Sequence, residues 1–282
     1  MKTMLNYLIV DDLISKAIQE DMPFGDITTN ALIPEDSVST ASVIAKEDGI
    51  ICVIPVFKRV FKLIGNVTCN FHIEDGDKVT SSTIIGTITG NTRNILMGER
   101  IALNLMQRMS GVATTTYNYA SKLEGLKSKL VDTRKTTPLY RHLDKYSVVC
   151  GGGVNHRLSL SDSVLIKDNH IAAAGGIKQA VALAKKHSSF TTKIEVETET
   201  KEEVLEAIES KADIIMLDNM TPEMAKKMVE LINGRAITEC SGNITLDSIR
   251  SYGETGVDYI SCGALTHSFK VLDISLKNLT NI

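Results

Sequence analysis

The sequence predicts an α/β chain in which a smaller mixed α+β portion leads into a series of parallel strand–helix units. Three observations carry this. From about Lys129 onward, short β-branched or apolar runs recur, each closing on a polar residue and each followed by a helical stretch. The later repeats are regular, with Glu197 to Asp218 and Asp218 to Glu239 each separated by 21 positions. With 282 residues, 43% of them apolar, the chain is long enough for one large domain or two unequal ones around a sizeable core.

The elements follow in order. Residues 1–12 carry one lysine and a short apolar stretch broken by Asn6 and Tyr7, without a small-residue cleavage pattern, and do not read as a signal peptide. Pro55 opens a helix in which Val56, Phe57, Val60, Phe61 and Ile64 recur at helical spacing, and Gly65 closes it. Val67, Cys69, Phe71 and Ile73 alternate with polar neighbours as a half-buried strand does, and Glu74-Asp75-Gly76-Asp77 supplies a turn. A longer helix is expected from about Arg93, with Ile95, Leu96, Glu99, Leu103, Met106 and Met109 near one face and Gly111 beyond its end. Six strands then read at 130–132, 164–167, 194–197, 214–218, 237–239 and 259–261. Thr200 with Glu203 forms a capping box, Thr221-Pro222 reads as N-cap and first helical residue, and Gly234 sits where a C-cap glycine belongs. A barrel and an open doubly wound sheet both fit this alternation. No G-x-G-x-x-G follows the first strand, and polar residues at successive strand ends favour a barrel, whose sites gather at the strands' C-terminal face.

Composition excludes several functions. The 31 basic and 34 acidic groups give a net charge of -3, with no basic arm, so nucleic acid is not an expected partner. Nowhere do about 18 apolar residues run together, so no membrane span is expected. Cys52, Cys69, Cys150, Cys240 and Cys262 are odd in number, scattered and never spaced C-x-x-C. That argues against a disulfide framework and a structural zinc site, and for a reducing cytoplasm.

The groups able to do chemistry gather at strand ends. Asp132-Thr133-Arg134-Lys135-Thr136-Thr137-Pro138 lies where the first parallel strand stops, and two adjacent cations there need anions to meet them. A glycine run, Gly151-Gly152-Gly153, precedes His156-Arg157, and Lys167 ends the next strand. Arg134, Lys135, His156, Arg157 and Lys167 are therefore expected to converge on a small polyanion, with guanidinium forks for carboxylates or phosphates. Opposite them, Glu195 and Glu197 lie two apart on a strand and point to one side, and Asp218 ends the following strand. Such a set suits Mg²⁺ held through its waters, sugar hydroxyls, or a developing carbocation, and lacks the histidines of a zinc enzyme. Ser241-Gly242-Asn243 and Ser261-Cys262-Gly263-Ala264 follow the last two strands, where barrels often bind phosphate.

Taken together, 132–138, Lys145-Tyr146, 151–157, 165–170, Glu195-Val196-Glu197, Leu217-Asp218-Asn219, Ser241-Gly242-Asn243-Ile244 and 263–268 resemble the quinolinate phosphoribosyltransferase family, the carboxylating nicotinate-nucleotide pyrophosphorylases. Gly25-Asp26-Ile27-Thr28 and Glu99-Arg100 extend the resemblance over nearly the whole chain. It implies an incomplete α/β (TIM-like) barrel over 111–268, beside a smaller N-terminal α+β sandwich domain over 1–110, with 269–282 packing back on the latter. It further implies a homodimer or higher homo-oligomer sharing its sites, Mg²⁺ as cofactor, and quinolinate and phosphoribosyl pyrophosphate as substrates. By motif, Arg134, His156, Arg157 and Lys167 bind the quinolinate carboxylates, with Arg100 from the partner subunit. Lys135 meets phosphoribosyl pyrophosphate. Glu197 and Asp218 surround the ribose and metal, and Lys135, Lys167, Glu197 and Asp218 are the catalytic set. Ser241, Gly242, Asn243, Ser261 and Gly263 form the 5′-phosphate loops. One departure is visible: Leu139-Tyr140 stands where the family usually has Gly-Leu after the proline. Rival readings of the same residues are a phosphoribosyltransferase with another acceptor, a barrel aldolase using Lys135 or Lys167 as Schiff base, and a silent sugar-phosphate binder.

Overall fold

The computed structural model describes residues 5–282. The reading of 1–12 therefore falls partly outside the described residues; from Tyr7 the chain is a helix, Tyr7–Asp21. Two compact units result. The first runs to Tyr117 and takes in Thr137–Gly152 and Phe269–Ile282, and the second comprises Asn118–Thr136 and Gly153–Ser268.

In chain order the strands are β1 (Val38–Ala45), β2 (Gly49–Ile50), β3 (Val67–Phe71), β4 (Lys78–Val79), β5 (Ile84–Asn91), β6 (Lys129–Val131), β7 (Val164–Ile166), β8 (Ile194–Thr198), β9 (Ile214–Asp218), β10 (Ile237–Ser241), β11 (Tyr259–Ser261) and β12 (Ile274–Asn281). The first unit holds an antiparallel sheet ordered β12-β1-β5-β3, with β2 and β4 forming a small separate pair. Strand β1 alternates in burial along its length, which turns Ala41, Val43 and Ala45 to the core. Helix Ile54–Ile64 supplies Val56, Phe57, Val60 and Phe61, and Phe57 meets Phe71 edge-on at 5.3 Å between ring centroids. Its Pro55 and the closing Gly65 stand where the sequence placed them.

The long helix does not end before Gly111; it spans Thr92–Ser121. The glycine serves close packing there. A Cβ on Gly111 would lie 2.3 Å from the Lys270 carbonyl oxygen, so only glycine lets the returning chain pass this closely.

The second unit carries six parallel strands in the order β6-β11-β10-β9-β8-β7, with helices between successive strands. β6 and β7 stand at opposite ends of that order and share no ladder, the six-stranded α/β barrel-like arrangement expected of an incomplete barrel. The capping box holds: Thr200 Oγ1 accepts from the Glu203 amide and Glu203 returns a bond to Thr200. Thr221 caps Pro222–Ile232, but the C-cap is Asn233 in the left-handed region, one residue before Gly234, because asparagine also tolerates that conformation. Among the described residues, no helix is long and apolar enough to cross a membrane.

Candidate active site

The parallel register decides which side chains stand level. Glu197 pairs across to Met216, and Met216 to Glu239, whereas Asp218 pairs with Ser241. These residues, with Ser261 from β11, line a cavity of about 470 Å³ together with Arg134, Lys135, His156, Arg157 and Lys167. The sequence-derived cations thus share one chamber with Glu197 and Asp218 at the C-terminal ends of the strands, whereas Glu195 lies outside its lining. A larger recess of about 1220 Å³ lies at the opposite strand ends, beside Lys127, Asp213 and Asp258. Its carboxylates are spent on structure, since Asp213 accepts from the Ile194 amide and Asp258 from Thr238 and Lys127.

The cationic wall is built on a buried carboxylate. Asp132, completely buried at the end of β6, accepts from Asn155 Nδ2 at 2.6 Å and from the His156 amide at 2.9 Å. It thereby clamps the loop that presents His156 and Arg157. Arg157 also donates to the Ser163 carbonyl at 2.9 Å. Burial, and then the neighbouring Arg134 charge, lower the Arg157 guanidinium below its usual range. The Arg134 Nε is buried without a protein partner. Two guanidinium groups near enough to repel each other, one with an unmet donor, describe a site suited to an anion.

His156 sits between two glutamates, its Nε2 3.1 Å from Glu195 Oε2 and 3.4 Å from Glu239 Oε2. Burial opposes charge on the ring, but the two carboxylates outweigh it and raise the histidine to about 10. The Arg157 amide lies 2.7 Å from Nδ1, and it is Nε2 that faces the two carboxylates. Burial foremost raises the Glu195 carboxyl, against the hydrogen bond from His156, which lowers it.

On the other wall Lys167 Nζ contacts Glu197 Oε2. The contact joins the cationic wall to the acidic one across the mouth of the cavity. Burial and then the charge of Glu197 raise the Asp218 carboxyl, with Ser241, Lys167 and Lys135 acting in the opposite direction. Two adjacent carboxylates repelling each other form a hard oxygen donor set that fits a divalent cation such as Mg²⁺.

Three expected loop residues lie beside the cavity, outside its lining. Gly242 has φ +95°, and a Cβ there would come within 2.2 Å of Asn219 Oδ1, so the loop after β10 can cross the end of β9 only with glycine. Asn243 Nδ2 donates to the same Asn219 oxygen at 3.3 Å. Gly263 begins the turn in which Thr266 Oγ1 donates to the Lys135 carbonyl at 2.9 Å, tying the loop after β11 to the Arg134-Lys135 segment. Arg100 is exposed on helix Thr92–Ser121 of the first unit and lines no part of this cavity. Sequence reasoning missed the parts played by Glu239, Asp132 and Asn155. Glu239 was marked only as a polar strand end 21 positions after Asp218; the register puts it level with Glu197, both opposite Met216.

Comparison with known proteins agrees with this geometry. The family model of the quinolinate phosphoribosyl transferase N-terminal domain matches residues 26–110, and that of the C-terminal domain matches 112–277. A probable carboxylating nicotinate-nucleotide pyrophosphorylase of Bacillus subtilis is 42% identical over 273 residues, covering 96% of this chain and 94% of the relative. A decarboxylating quinolinate phosphoribosyltransferase of Nicotiana glauca is 44% identical over 286 residues, covering 94% of this chain and 81% of its own. The crystal structure of NadC from Streptococcus pyogenes superposes with a TM-score of 0.96 at 42% identity, covering 99% of each chain.

Proposed function

The chain belongs to the quinolinate phosphoribosyltransferase family, and on that premise we propose how its cavity divides the work between two substrates. The reaction joins quinolinate to phosphoribosyl pyrophosphate, giving nicotinate mononucleotide, pyrophosphate and CO₂ in NAD biosynthesis. The observation that carries the division is the buried, unmet Arg134 Nε beside Arg157.

Arg134, Arg157, His156 and Lys167 hold the two quinolinate carboxylates, the guanidinium groups by bidentate bonds. This grip aims the pyridine nitrogen at the ribose C1, and positioning of that kind is worth roughly 7–11 kcal/mol. Lys135 meets the phosphoribosyl pyrophosphate. As pyrophosphate leaves, positive charge develops on the ribose, and Glu197 and Asp218 face it from adjacent strands. The same two carboxylates would hold Mg²⁺, which when bound neutralises charge on the leaving pyrophosphate. Once the nitrogen is alkylated, its positive charge stabilises the carbanion left by loss of the neighbouring carboxyl as CO₂, and that carbon then takes a proton from solvent to give nicotinate mononucleotide. Ser241, Gly242, Asn243, Ser261 and Gly263 receive the 5′-phosphate.

In this reading Arg100 completes the cavity of a partner subunit within a homodimer or higher homo-oligomer. The five unbridged cysteines support a reducing cytoplasm. Incubation with quinolinate, phosphoribosyl pyrophosphate and Mg²⁺ should yield nicotinate mononucleotide and CO₂. Failure with quinolinate while nicotinate is accepted would overturn the carboxylating assignment.

A further inference from the structure

No two cysteines are close along the chain, yet the fold brings two of them together. Within the first unit, Cys52, just beyond β2, approaches Cys150, the last residue of helix Arg141–Cys150, and Asp75 joins them from the turn after β3. One ligand atom from each lies within 4.8 Å of the other two. Cys52 is fully buried, whereas Cys150 and Asp75 are half-buried, so the triangle has a closed side and an open one.

Asp75 is held in place. Its Oδ1 accepts from the Ile54 amide at 2.8 Å and its Oδ2 from the Tyr146 hydroxyl at 2.6 Å. Ser147 Oγ lies 3.4 Å from the Cys52 sulfur. Ligand atoms on a tetrahedron around Zn²⁺ are separated by roughly 3.3–3.8 Å, so side-chain rotations of an ångström or so close this set onto an ion. None of the three lines the substrate cavity.

We propose that Cys52, Cys150 and Asp75 form a binding site for one thiophilic divalent ion of the zinc class, with water at a fourth position on the open side. As the two sulfur–metal bonds form, each thiol releases its proton to solvent; no electrons are transferred. Paired thiolates do not select Mg²⁺, which favours hard oxygen donors, so this site and the Glu197–Asp218 pair take different metals. Tyr146 is a positioning residue that fixes the Asp75 carboxylate.

The test is titration of the full chain, reduced with a phosphine, by Co²⁺ alone. The expected result is one ion per chain with an intense thiolate-to-cobalt charge-transfer band and visible bands of a tetrahedral field. Zn²⁺ displaces the ion; excess Mg²⁺ does not. Cys52→Ser and Cys150→Ser each remove most of the charge-transfer band. Tyr146→Phe retains the band while weakening the affinity by roughly 10–100-fold. Circular dichroism establishes that each variant is folded, and the half-buried Cys150→Ser carries the test if Cys52→Ser is not. The proposal is overturned if saturating Co²⁺ gives no thiolate band or if the band survives the double Cys→Ser variant.

Discussion

Asp132 touches no substrate in the proposed arrangement, yet its removal should damage quinolinate binding selectively. Asp132→Ala deletes a buried acceptor for Asn155 Nδ2 and the His156 amide. Hydrogen bonds to a charged group contribute about 1.5–3 kcal/mol each, so the loss should reach roughly 3–6 kcal/mol. That is a large share of the ~5–15 kcal/mol that holds a typical domain together. Asp132→Asn keeps one acceptor oxygen and should lose about half as much. Surviving protein carries a loosened His156-Arg157 loop, and a misplacement of about 1 Å can cost on the order of 100-fold in rate. Urea unfolding followed by circular dichroism measures the first effect, and kcat/KM determined separately for the two substrates measures the second. A Asp132→Ala variant within about 0.5 kcal/mol of the parent, or one losing phosphoribosyl pyrophosphate and quinolinate affinity alike, refutes the clamp.

Arg134→Ala and Arg157→Ala should each weaken quinolinate binding by roughly 10- to 100-fold with little change for phosphoribosyl pyrophosphate, as calorimetry can check. Asp218 takes up a proton at higher pH than an ordinary aspartate, first because it is buried and then because Glu197 faces it. Asp218 should therefore shift the acid limb of the rate profile upward, and Glu197→Gln should move it back down. By the same sign, the stability contribution of Asp218 declines as pH rises through its folded pKa, so Asp218→Asn should melt higher at neutral pH while losing activity. His156 is raised to about 10, so NMR of its ring should show no titration near the ordinary histidine value of about 6.5. The stability it contributes is present below that ordinary value and lost as pH rises through about 10.

The six parallel strands were legible because each is a short β-branched run closing on a polar residue, a pattern that survives without tertiary context. The cationic and acidic walls were legible for the same reason, since strand ends collect at one face. What stayed hidden depends on contacts distant in sequence. Gly111 looked like a helix stop because the chain gives no sign that residue 270 will press on it. The place of Glu239 beside His156 stayed hidden because chain spacing counts loop and helix residues, whereas strand register is set by how those loops pack. Cys52 and Cys150 looked unrelated because 97 residues separate them, and only the folded first unit brings them beside Asp75.

The contact between Lys167 and Glu197 joins the two walls and makes a last outcome predictable. Without substrates, each of these charges is partly neutralised by the other. A dicarboxylate entering on the Lys167 side competes with Glu197 for the ammonium ion and leaves the carboxylate free for a cation-bound sugar phosphate. The reverse holds when the sugar phosphate arrives first. The two substrates should therefore bind with positive coupling, and linkage requires the factor to be the same in both directions. Benzene-1,2-dicarboxylate lacks the nucleophilic nitrogen, so its affinity can be measured with and without phosphoribosyl pyrophosphate and Mg²⁺ while no reaction proceeds. A coupling of about fivefold or more is expected, the lower end of the common range. Glu197→Gln weakens the internal contact and should reduce that factor toward unity, whereas equal coupling in the parent and in Glu197→Gln would show that the ion pair plays no part.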